Sequence, residues 1–91
     1  GALIMLNLTF DLRQLTTRAA FYQQFAEQSG CPQTFGHNLD ALWDWLTGGM
    51  ALPATMWLQH YAAHQADLAP VLALLEEAAQ SLEGELRLII D

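Results

Sequence analysis

Three short apolar segments set far apart along the chain constrain its fold more than any other feature. Leu3 to Leu8, the run from Pro53 through Met56, Trp57 and Leu58, and Leu86 to Ile90 each have the length of a buried strand. The intervals between them carry helical periodicity and are much longer than a hairpin turn. Antiparallel neighbours can be joined by two residues, whereas parallel neighbours need a crossover of a dozen or more, usually a helix. The chain therefore predicts an α/β fold, a three-stranded parallel sheet with helices packed largely on one face. Its 91 residues make one domain, residues 1–91. No repeat, linker or low-complexity stretch divides it.

Punctuation sets the helices. A bend from Asp11 to Leu15 leads to Thr17, an expected N-cap, and a helix through Phe21, Tyr22 and Phe25 that ends near Gly30, where Pro32 prevents continuation. The polar, alanine-rich stretch from Gln59 to Gln65 predicts a short helix. Asp67 is the expected cap of the last helix, which tolerates Pro70 in its first turn and ends at Gly84. Leu68, Val71, Leu72, Leu75 and Leu82 form its apolar stripe.

Between the loop Cys31 to His37 and the pair Gly48-Gly49 lies the most informative helix, with Asn38 as N-cap and the first turn at Leu39. At roughly 100° per residue, Leu39, Leu42 and Leu46 share one buried face and Trp43 falls about 40° from its centre. Asp40 and Asp44 lie beyond Trp43 on the same side. Asp40 gains from the helix dipole, but like charges at i and i+4 cost a few tenths of a kcal/mol, so Asp44 does little for its own helix. Two carboxylates beside a half-buried indole instead suit guanidinium and ammonium groups. The plain alternative is a solvated helix edge.

The string from Phe35 to Gly48, an aromatic-Gly-x-Asn-Leu-Asp-Ala-Leu-Trp-Asp-x-Leu pattern over contiguous positions, closely resembles the signature of the barstar family, bacterial intracellular inhibitors of the ribonuclease barnase. Weaker resemblance runs the full length, including the strand with Trp57 and the acidic last helix. It implies a barstar-like fold in which this helix and the loop before it plug a nuclease active site. Asp40, Trp43 and Asp44 would then sit in the contact surface, with Asp44 in the place of a substrate phosphate and Thr34, Phe35, His37 and Asn38 beside it. A glutamate on the last helix also contributes in the family; Glu77, followed by Ala78, is the better match and Glu76 the alternative. Two positions depart from the pattern. Thr34 stands where the family commonly has an aromatic, and His37 where it has an acidic residue, both in the region that would touch the nuclease.

Charge is consistent with such a partner. Ten acidic residues against three arginines and no lysine give a formal net charge of −7, which disfavours direct nucleic-acid binding, because a phosphate footprint needs clustered cations. With hydrophobic residues at 53%, disorder is not expected. The lone Cys31 has no partner for an internal disulfide, which favours a reducing, cytoplasmic compartment. Ala2 to Leu6 is too short to span a bilayer and lacks a positive flank, so no membrane role is expected.

Catalytic and metal-binding readings are weak. His60 and His64 are spaced i, i+4, yet zinc needs a third ligand. His37 has no serine or cysteine beside it, and Asp40 and Asp44 on an exposed edge lack the desolvated pocket that acid–base work requires. Trp43, Trp45 and Trp57 are expected first as core or boundary packing, with Trp43 doubling as an interface anchor. The expectation is an inhibitor of a basic ribonuclease or related toxin, not an enzyme, with no cofactor and no metal, monomeric when free. The rivals are an immunity or regulatory protein of the same fold against another basic toxin, and a self-associating structural domain.

Overall fold

In the computed structural model, which describes residues 5–32, 35–61 and 66–91, β1 (Leu6–Asp11), β2 (Ala54–Gln59) and β3 (Leu86–Ile90) form one parallel sheet in the order β1-β2-β3. Three helices connect them: α1 (Arg18–Ser29), α2 (Leu39–Gly48) and α3 (Ala69–Ser81), the last preceded by a 3-10 turn at Ala66–Leu68. The predicted α/β class and parallel sheet are present.

Helices cover one face of the sheet, as expected. Leu8, Phe10, Met56, Leu58 and Leu86 point into the helix layer and are buried, while Asn7, Thr9, Trp57 and Arg87 alternate with them and are exposed. Phe10 packs on Phe21 of α1 with ring centroids 4.6 Å apart. From the helices, Phe25, Leu42, Leu46, Val71 and Leu75 complete the core. Each fully buried side chain of this size contributes about 1.5–3 kcal/mol relative to exposure, which is why a 91-residue chain needs no staple.

The first strand is displaced from its predicted span. It runs from Leu6 to Asp11, in register with β2 from Leu6↔Ala54 to Asp11↔Gln59. Thr9 and Asp11 looked like the end of a strand because they are polar, but they lie on the open face, where polarity costs nothing. Leu3 and Ile4 lie outside the described residues. The bend follows directly, with the Gln14 and Leu15 N–H groups both donating to the Asp11 carbonyl at 3.0 Å.

Where the short helix is predicted to begin, at Gln59 and His60, the chain is strand and turn. Gln59 closes β2, and His60 has a φ of +59°, which no helix accepts. Residues 62–65, including His64, lie outside the described residues. Trp57 is a further correction: with Met56 and Leu58 turned to the helices, the period of two sends it to the open face, where it is 41% exposed.

Helix starts match their signals with one exception, while α3 closes at Ser81 with Leu82 in the C-cap position, two residues before the expected Gly84. Thr17 Oγ1 accepts from the Ala20 N–H at 3.2 Å, and Gly30 terminates α1 with a φ of +71°, a left-handed conformation that favours glycine. Along α3, Leu68, Val71 and Leu75 are buried as predicted and Leu72 and Leu82 half-buried; Ala78 joins the buried stripe. The exception is Asp67. It does not cap α3, whose N-cap position is Leu68 with no side-chain hydrogen bond. Asp67 reaches α1 instead: Oδ2 accepts from the Arg18 N–H at 2.9 Å, and Oδ1 lies 3.4 Å from Arg18 Nε. The carboxylate thus satisfies an orphan donor at the start of a helix 49 residues away.

Candidate functional site

Helix α2 begins as its sequence demands. Asn38 has extended backbone angles, and its Oδ1 accepts from the Ala41 N–H at 2.8 Å. Leu42 and Leu46 are buried, Leu39 and Trp43 half-buried, and Asp40 and Asp44 exposed. The helix closes tightly, the Gly49 and Met50 N–H groups both donating to the Trp45 carbonyl at 3.1 and 2.7 Å. A Cβ on Gly49 would run into the six-membered ring of Trp45, so glycine is required there by close approach.

Helices α2 and α3 pack side by side and leave a groove of about 690 Å³ between their outer faces. Leu39, Asp40, Trp43 and Asp44 line one wall; Pro70, Ala73, Leu74 and Glu77 line the other. Three carboxylates from two helices therefore meet around one indole. Glu77 faces this groove and Glu76 is not among its lining residues. No cation lines it, and among the described residues none of the three carboxylates is in an ion pair. Two of the arginines are held elsewhere, Arg13 by Asp11 at 3.3 Å and Arg18 by Asp67. The Arg13 hydrogen bonds hold the Asp11 carboxyl below its ordinary value.

A second groove, of about 530 Å³, opens on the other side of the α2 start, between Arg18, Ala19 and Tyr22 of α1 and His37, Asn38, Leu39 and Asp40. Leu39 and Asp40 belong to both. The loop before α2 is pinned by rings: Phe35 packs on Phe25 at 5.8 Å and on His37 at 5.6 Å, and His37 stacks on Tyr22 at 6.5 Å and 14°. Phe35 is half-buried against the core and lines neither groove, so its visible part in the site is to hold the loop in place. Thr34 lies outside the described residues.

Pro70, Ala73 and Leu74 were not expected in the site from sequence, although a signal existed. With Glu77 they are spaced i, i+3, i+4, i+7, a second stripe beside the buried one on the same helix. Arg18 and Tyr22 had no comparable signal, because only the packing of α1 against the loop brings them to Asn38.

An arrangement of exposed carboxylates around an indole can bind guanidinium, ammonium or imidazolium groups through charge-assisted hydrogen bonds. Among the described residues, no cluster of three His, Cys, Asp or Glu side chains could hold a metal ion. Cys31 is half-buried and unpaired as a disulfide, its thiol donating to the Ala26 carbonyl at 3.7 Å. No described helix is long and apolar enough to cross a membrane.

Comparison with known proteins places residues 5–89 within the family model described as Barstar (barnase inhibitor). The chain is also 31% identical over 91 residues to a Bacillus subtilis (strain 168) protein named "Putative ribonuclease inhibitor YrdF", a match that spans 96% of this chain and 100% of that protein.

Proposed function

Because the chain belongs to the barstar family, we propose that it inhibits a basic ribonuclease by docking the α2–α3 groove and the loop before α2 over the enzyme's active site. A ribonuclease must hold RNA phosphates with Arg, Lys and His side chains. Asp40, Asp44 and Glu77 offer those same groups carboxylates, and Trp43 supplies an apolar anchor between them. Inhibition then needs no chemistry, only occlusion, and the chain acts as an inhibitor rather than an enzyme. The observation that carries this reading is the convergence of Asp40, Trp43, Asp44 and Glu77 from two helices on one cation-free groove.

Net charge works in the same direction. At −7 the chain attracts a cationic protein over distances of about a Debye length, so association is steered before contact. Barnase and its inhibitor are themselves the reference case for such steering. We place the inhibitor in the cytoplasm, where the cell's own RNA needs protection and the free Cys31 stays reduced.

The test is titration into purified barnase and into a panel of small basic ribonucleases while RNA cleavage is followed. Inhibition of at least one enzyme should saturate at one inhibitor per enzyme and weaken in Asp44→Ala. If no ribonuclease is inhibited at stoichiometric concentration, while a pulldown recovers a basic toxin that does not cleave RNA, the chain is an immunity protein of this fold with another target.

A further inference from the structure

The outer edge of β3 carries main-chain groups with no partner among the described residues. The Asp91 N–H donates to the Leu58 carbonyl at 3.0 Å, and the Glu85 carbonyl accepts from the Ala54 N–H at 2.9 Å, so odd-numbered positions of this segment turn their main chain toward β2. Alternate residues of a strand direct their N–H and C=O groups to opposite sides, which leaves those of Leu86, Leu88 and Ile90 pointing outward. The other edge of the sheet is different. There Gln28 occupies both main-chain groups of Thr9 at 2.8 Å. An apolar strand with an open row of donors and acceptors is a template for another strand.

We propose that this edge pairs antiparallel with the same edge of a second copy, about a two-fold axis at Ile89. Outward-facing groups must meet outward-facing groups, so Leu88 of each copy forms hydrogen-bonded pairs with Ile90 of the other. Ile89 then faces Ile89, and Arg87 faces Asp91, both at the non-hydrogen-bonded positions where side chains approach closest. Two ion pairs form by symmetry. Of the neighbouring registers, the one about Leu88 would set Glu85 against Asp91 twice, two like-charged pairs, and leave Arg87 against Ile89, and the one about Ile90 would set Asp91 against Ile89 and form no ion pair. Charge therefore selects the first.

Two further observations favour this occupant. Among the described residues Arg87 is in no ion pair, unlike Arg13 and Arg18. Two of the three exposed large hydrophobics, Trp57 at 41% and Ile90 at 42%, lie on or beside this edge. Trp57 is the register partner of Ile89, so pairing extends one apolar row, Trp57-Ile89-Ile89-Trp57, across a six-stranded sheet. A net charge of −7 on each copy opposes association and keeps it concentration-dependent, so dilute protein stays monomeric. The α2–α3 groove lies in the helix layer and not on the strand edge that pairs.

Sedimentation velocity of the full chain from about 10 μM to 1 mM should show a monomer–dimer equilibrium. Arg87→Glu or Asp91→Arg alone should raise the dissociation constant at least about tenfold, since each turns two attractive pairs repulsive. The double variant Arg87→Glu/Asp91→Arg should return it to within about threefold of the parent. Both side chains are exposed, and thermal melting of each variant checks that the fold is intact. A parent that stays monomeric to about 1 mM, a dimer indifferent to the single reversals, or a double variant as weak as the singles would each overturn the proposal.

Discussion

Gln28 acts on Thr9 as a surrogate strand. Its Oε1 accepts from the Thr9 N–H and its Nε2 donates to the Thr9 carbonyl, both at 2.8 Å, so a helix side chain occupies the hydrogen-bonding edge of β1. Only an amide offers a donor and an acceptor in this geometry. Gln28→Ala should cost about 1–2 kcal/mol in urea melts, and Gln28→Glu, which keeps length but loses the donor, should restore less than half of that. A Gln28→Glu variant as stable as the parent would show that the Thr9 carbonyl does not need its partner.

Binding and stability should separate at Asp44. It is exposed, in no ion pair among the described residues, and a like-charge neighbour of Asp40, so Asp44→Ala should leave the melting temperature unchanged or raise it. Against the target ribonuclease the same change should cost ~2–5 kcal/mol, mainly as faster dissociation, because the enzyme's cations are left buried and unpaired. The range is the general one for truncating one partner of a buried charge pair, and the reference pair barnase and its inhibitor reaches above it. The expected order of alanine effects is Asp44, then Asp40 and Trp43, then Glu77. Tight binding by Asp44→Ala combined with loss of binding on changing His37 would move recognition from the groove to the loop.

Salt should act on the approach rather than on the bound state. Stopped-flow association with the ribonuclease should slow as ionic strength rises from about 0.01 to 0.15 M, where the Debye length falls from ~30 to ~8 Å, while dissociation changes less. An on-rate that is flat across this range would remove steering from the mechanism.

The Asp67 contact with α1 predicts a stability change far from the groove. Asp67→Ala removes the acceptor for the Arg18 N–H and should cost about 0.5–2 kcal/mol, in the lower half of that range because both side chains are nearly half exposed. Asp67→Asn keeps an acceptor and should lose less. Equal melting temperatures for the parent and Asp67→Ala would mean that water replaces the carboxylate without loss.

Burial raises the Tyr22 phenol above its ordinary value of 10.0, with Arg18 acting in the opposite sense and Asp67 adding to the rise. A group whose folded pKa is raised contributes stability that is complete below the unfolded value and lost as pH climbs through the folded one. Denaturation midpoints should therefore hold up to about pH 10 and fall above it. Tyr22→Phe should show a shallower alkaline fall; an identical fall would assign the loss to other groups.

Much of this protein was legible as periodicity and punctuation. Thr17, Asn38 and Gly30 act within one turn of their own position, so their roles as caps and terminator follow from local chemistry. Parallel pairing also followed, since long helical intervals permit little else, and the carboxylates of Asp40 and Asp44 had to share an edge because α-helical spacing puts them there. Where several arrangements satisfied the same local rules, only the assembled chain chose among them. Asp67 had a free helix start beside it in sequence and another 49 residues away, and packing brought the distant one closer. The end of β1 depended on β2 extending the same distance, because a strand lasts as long as its partner supplies hydrogen bonds. Glu77 was separated from Glu76 by the face that α3 turns to α2, and Arg18 met Asn38 through the seating of α1. Local sequence sets what each segment can do at its own ends. Which distant segment it does it to depends on the shared burial of Phe10, Phe21, Leu42 and Leu75, a property of the whole core that no window of the chain contains.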